Sequence, residues 1–98
     1  MGQTIRYLVF KDRRHWCAVA LELNIVETGL DPREVLFSLF ESIQGSLVSA
    51  AKTGNRAILR QKPDPEYEKM WQSLEVARGG GKRKASVYTF GHRPLAVA

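Results

Sequence analysis

An α+β fold is predicted by three features of the chain. Three β-rich segments lie close together between residues 4 and 28, a long amphipathic helix with capping residues at both ends follows, and a second helix leads into a further β-rich segment. The expected architecture is an antiparallel sheet of three to four strands, packed on one face by the long helix, with a second helix and a C-terminal strand in the order β-β-β-α-α-β.

Residues 4–10 combine β-branched and aromatic side chains and read as the first strand. Lys11, Asp12, Arg13 and Arg14 form a polar cluster that reads as a hairpin turn. Residues 15–23 read as a second strand, with apolar residues falling on both faces as a central strand requires. Asn24 permits a bend or bulge, and residues 25–28 make a short third strand ending at Gly29. Such short connections favour an antiparallel meander.

The first helix has clear start and stop chemistry. Asp31 is an N-cap, Pro32 fits the first turn, Glu34 stands at capping-box spacing, and Gly54 is a C-terminal stop. Val35, Leu36, Leu39, Phe40, Ile43 and Leu47 repeat at helical spacing, continued by Ala50 and Ala51, and this stripe is expected to form most of the core. Ser38, Ser42, Gly45 and Ser49 also follow helical spacing, and no charged residue occurs from Ser42 to Ala51. A solvent-facing helix surface normally carries Lys and Glu, and glycine inside a helix costs about 1 kcal/mol against alanine. The next helix or a second subunit is therefore expected to cover this face, with a solvated serine-rich surface as the alternative.

Residues 55–62 read as a basic connector, and Asp64-Pro65 marks the next helix start. Tyr67, Met70, Trp71, Leu74 and Ala77 give a narrower apolar stripe, and Glu66, Glu68 and Arg78 suit the helix dipole. Gly79, Gly80 and Gly81 stop this helix, the basic triplet Lys82, Arg83 and Lys84 follows, and residues 85–90 read as a last strand. The whole chain, 1–98, reads as a single domain with its core at about 4–78 and a C-terminal strand and tail at 82–98.

Composition narrows the classes of function. Hydrophobic content of 44% and charged content of 26% are those of a globular chain, and the single cysteine, Cys17, excludes an intrachain disulfide. Residues 1–7 carry no basic leader followed by a long apolar stretch, and no run approaches the roughly 20 apolar residues that span a bilayer, so a cytoplasmic protein without membrane contact is expected. The net charge of +5 is uneven: residues 1–51 carry five basic and six acidic side chains, residues 52–98 ten basic and four acidic. A basic half can attract nucleic acid or an acidic protein surface, or simply be a solvated one.

No arrangement of reactive residues stands out. Phosphodiester cleavage with two metals needs converging carboxylates, whereas Asp12 belongs to a turn, Asp31 caps a helix, and Glu22 and Glu27 flank a bend. His15 and Cys17 share a strand face, but a zinc site needs two more ligands, and His92 is distant in sequence. The stretch from Gly79 to Lys82 lacks the spacing of a phosphate-binding loop. Neither catalysis, nor a cofactor, nor a metal is expected. Lys82, Arg83, Lys84 and Arg93, with Tyr88 and Phe90 nearby, form the candidate nucleic-acid surface, although alternating Tyr88 and Phe90 would equally fill one sheet face.

The segment Tyr7-Leu-Val-Phe-Lys-Asp, followed by His15-Trp-Cys-Ala-Val-Ala-Leu-Glu-Leu-Asn-Ile-Val-Glu-Thr-Gly, resembles the HicB-like antitoxin domain. The likeness continues through the helix from Asp31 to Ala51 and into Pro63-Asp-Pro-Glu-Tyr-Glu-Lys-Met-Trp, covering about residues 4–75. It implies a reduced ribonuclease H-like fold without catalysis. It also implies a protein-binding module of type II toxin–antitoxin systems that neutralises a small RNA-cleaving toxin of the HicA type. The family's usual C-terminal DNA-reading helices have no counterpart after Ala77, so the chain resembles a divergent or orphan member. The alternative function is a small basic nucleic-acid-binding protein using the C-terminal half. Tyr67, Met70, Trp71 and Leu74 are the expected protein interface, and a homodimer through the second helix or the last strand is expected.

Overall fold

The computed structural model describes residues 3–78 and 86–95. Strands β1 (Gln3–Asp12), β2 (His15–Ala20) and β3 (Ile25–Gly29) precede helix α1 (Pro32–Thr53), and helix α2 (Pro65–Arg78) precedes strand β4 (Val87–Leu95). All pairings are antiparallel and the strand order is β3-β2-β1-β4. The fold class and element order are those predicted from the sequence, with α1 on one face of the sheet.

The strand alternation divides the interior into two layers. Ile5 and Val9 of β1 with Ala18 and Ala20 of β2 meet Val35, Leu39, Ile43 and Ala50 of α1. Leu8, Phe10, Cys17 and Val19 point the other way and meet Trp71 and Leu74 of α2. A period of two along each strand, with both faces covered, is why the central strands read as nearly continuous apolar runs.

The caps on α1 follow the sequence closely. Asp31 accepts from the backbone N–H groups of Arg33 at 2.8 Å and Glu34 at 3.4 Å. Gly54 closes the helix at φ 71°, with its N–H on the carbonyl of Ala50. The start of α1 also lies tight on β3: a Cβ at Gly29 would come within 2.9 Å of a Val35 methyl.

Four segments differ from the sequence expectation. Lys11 and Asp12, read as part of the turn, pair with Trp16 and His15 at the end of β1, so the turn is Arg13 and Arg14 alone. The second strand ends at Ala20, and Leu21–Leu23 forms a 3-10 turn closed by Asn24 at φ 52°, a left-handed conformation that asparagine tolerates. The basic connector contains a second 3-10 turn, Arg56–Leu59, capped by Asn55 and anchored by the buried Leu59. The last strand runs to Leu95, well beyond residue 90, because every residue from Gly91 to Leu95 pairs with β1. Gly91 and Pro94 conceal this in the sequence. Pro94 is admissible on an edge strand, and Gly91 leaves room for the Tyr7 ring, whose hydroxyl would stand 3.2 Å from an added Cβ.

A bulge in β4 redirects two aromatics. Val9 pairs with Thr89 and Phe10 with Val87, so Tyr88 is the extra residue. Tyr88 therefore meets Trp16 on the α1 side, while Phe90 meets Trp71 on the α2 side. The two rings do not share a face, as plain alternation would have required. At the β1–β2 hairpin Arg13 is held at φ 59°, a conformation that costs a residue with a Cβ roughly 1–2 kcal/mol. No helix of the described residues is long and apolar enough to cross a membrane.

Candidate functional site

The apolar stripe of α2 is largely consumed inside the chain. Trp71 is 4% and Leu74 2% exposed, and Tyr67 and Met70 pack half-buried against the same layer. Trp71 meets Phe90 and His92 edge-on, and Tyr67 leans on Phe10. The side chains singled out in the sequence as a protein interface thus form the second core, and a partner could reach Trp71 or Leu74 only by displacing α2.

A clamp centred on Arg6 holds α2 in place. Arg6 lies one residue beyond Tyr7, whose pairing with Ala20 ends the β1–β2 ladder. Its backbone N–H donates to Glu22 Oε1 at 2.9 Å, and its Nε donates to Glu22 Oε2 at 2.7 Å. The rest of the guanidinium forks onto Glu68 of α2, with Nη1 to Oε2 at 2.6 Å and Nη2 to Oε1 at 2.9 Å. Its carbon stands 5.5 Å from the Trp71 ring centroid. Hydrogen bonding to Glu68 raises the Arg6 pKa further above its ordinary value. The reciprocal bond holds Glu68 below the usual carboxylate range, against the opposing push of burial.

The other acids that suggested catalysis are dispersed into separate roles. Glu22 is engaged by Arg6, Glu27 accepts from the Ser42 hydroxyl at 2.8 Å, Asp31 caps α1, and Asp12 ends β1. Among the described residues no three His, Cys, Asp or Glu side chains are grouped to hold a metal ion. A surface cleft of about 290 Å³ lies beside Cys17, lined also by Asp12, Glu66 and Tyr67. Burial, and secondarily Asp12, pushes the Cys17 thiol up, and burial does the same to the Tyr67 phenol. Both shifts disfavour the anionic forms that nucleophilic chemistry would need.

The outward ridge of α1 has a different character. Phe37 is 65% exposed and Val48 45% exposed, and an added Cβ at Gly45 would meet nothing within 4 Å. Glu34 and Glu41 flank Phe37 at helical spacing and are exposed. Ser42 faces β3, where its hydroxyl bonds Glu27, and Ser38 is half-buried one turn earlier. The second helix does not cover this surface, because α2 lies on the opposite face of the sheet. Phe37 was not among the residues singled out from the sequence; its position at the centre of an otherwise small-residue and acidic ridge was the available signal.

Of the candidate nucleic-acid residues, Lys82, Arg83 and Lys84 lie outside the described residues. Arg93 is placed on the α1 side of β4, its guanidinium carbon 4.1 Å from the Phe40 ring centroid. Together these features define a sandwich of one four-stranded sheet between two helices, with one helix presenting an apolar and acidic ridge. In comparisons with known proteins the chain matches no family model, no curated protein and no solved structure.

Proposed function

We propose that this chain is a non-catalytic, antitoxin-type binding module of the cytoplasm, of the HicB-like kind, that neutralises a small basic RNA-cleaving toxin of the HicA type. The observation that carries the reading is Phe37, 65% exposed on an α1 ridge that Gly45 and Val48 continue two to three turns further on. Exposed aromatics of this kind serve as anchors when a partner covers them. Glu34 and Glu41 outnumber Arg33 at the helical positions around the anchor, on a chain that is otherwise basic, which suits a basic partner. The separate structural engagements of Glu22, Glu27 and Asp31 support a role without catalysis.

Mixing the chain with such a toxin tests the reading. Phe37→Glu should weaken the complex by about tenfold or more while leaving the circular dichroism spectrum unchanged. Equal toxin affinity of the variant and the parent chain would refute the ridge as the site. A homodimer belongs to the same reading, with the outer edge of β4 in place of the buried α2 stripe. Among the described residues β4 stands at the edge of the sheet, where a second copy would add to it. Light scattering that finds a monomer at all micromolar concentrations would refute the dimer.

A further inference from the structure

We infer that the hairpin end of the sheet, on the α1 side, is a binding platform for single-stranded nucleic acid. Trp16 of β2, Lys11 of β1 and Tyr88 of β4 come together across three neighbouring strands. Lys11 is paired directly with Trp16, its Nζ 5.8 Å from the indole centroid. The Trp16 and Tyr88 rings meet edge-on with centroids 6.1 Å apart. Tyr88 is 41% exposed and Trp16 half-buried, so part of each side chain reaches the surface. Tyr88 reaches this side only through the bulge that separates it from Phe90.

The charge beside the rings is mainly positive. Lys11, Arg13 and Arg14 are exposed, with His15 next to them and Asp12 the single acid from 11 to 15. Among the described residues none of these three cations is held in an ion pair. Rings on which bases stack, bordered by cations for phosphates, are what a single strand requires, and a duplex would hide its bases from the rings.

The turn supplies an independent observation. A two-residue hairpin turn with positive φ favours glycine or asparagine, yet Arg13 occupies that position at φ 59°. Strain retained at a position where a cheaper residue fits points to a use for the side chain. The platform is separate from the α1 ridge, and its test does not depend on a protein partner.

The experiment is fluorescence anisotropy of a labelled twelve-nucleotide oligo(dT) against the full chain at increasing salt. Binding should weaken with a log–log slope of about −2, the value for three phosphate contacts on a single strand. Arg13→Gly should raise the thermal unfolding midpoint by about 4 °C while weakening binding severalfold, opposite signs that a merely structural arginine would not give. Arg14→Glu and Tyr88→Ala should each weaken binding at least fivefold or so without loss of fold. The inference is overturned by no binding at 50 mM salt, by duplex binding as tight as single-strand binding, or by full affinity in the Arg13→Gly, Arg14→Glu double variant. It is equally overturned if Glu at Lys82, Arg83 and Lys84 abolishes binding while the hairpin variants leave it intact.

Discussion

The two faces of the sheet are held by different physics. On the α1 face the buried centre is aliphatic, with rings only at its margin: Leu39 and Ile43 sit among Ile5, Val9 and Ala18, and a helix capped at both ends lies along them. The α2 face adds rings and an ionic clamp to its aliphatic residues: Trp71, Tyr67, Phe10 and Phe90 pack with Leu8, Val19 and Leu74, and Arg6 ties Glu68 to Glu22 behind them. The first helix can be placed by local pattern alone, because its burial needs only a period and two caps. The second depends on long-range partners, and an aromatic and ionic contact made by few residues is easier to undo selectively.

Three experiments would break or sharpen that contrast. The largest effect is expected from Trp71→Ala, which should cost about 4 kcal/mol, the usual loss for a buried tryptophan. In the same variant, hydrogen exchange should speed up in α2 before α1; uniform acceleration in both helices would show that the two layers unfold as one. Arg6→Met should cost about 2 kcal/mol, since it strands Glu22 and Glu68 in a partly buried site that water still reaches. Its signature is pH dependence. Glu68 is depressed in the folded state, so the clamp stabilises fully above the carboxylate's ordinary 4.5 and loses its contribution as pH falls through the lower folded value. Urea midpoints should therefore drop more steeply on acidification in the parent chain than in Arg6→Met; parallel curves would assign the clamp no net role. The smallest effect belongs to Asp31→Ala, about 1 kcal/mol for a lost cap, with α1 amides near residue 33 exchanging faster.

The same division explains what could be read from the sequence. The α1 boundaries were legible because Asp31, Pro32 and Gly54 act on their own neighbours. The strand alternation around Ala18 and Val19 was legible for the same reason. Arg6 carried no local signal: its partners are 16 and 62 residues away, and only the fold brings them together. The side of the sheet that α2 covers was equally hidden, because the stripe from Tyr67 to Leu74 fits any apolar surface. The bulge defeated the reading of Tyr88 and Phe90, since one extra residue reverses every assignment beyond it. Phe37 escaped notice as a site because exposure is a property of the packed chain; its helical position alone places it opposite Leu39.

The strand order also sets an order of events. β1 lies between β2, its immediate neighbour in sequence, and β4, which returns from the far end of the described chain. The β1–β2 hairpin can close within microseconds, whereas the β1–β4 ladder must wait for a large loop to close before any contact rewards it. Until then the two most apolar strands of the molecule expose one unpaired rim and one uncovered face. In that interval the chain is open to irregular association with its own copies, apart from any dimer of the folded state.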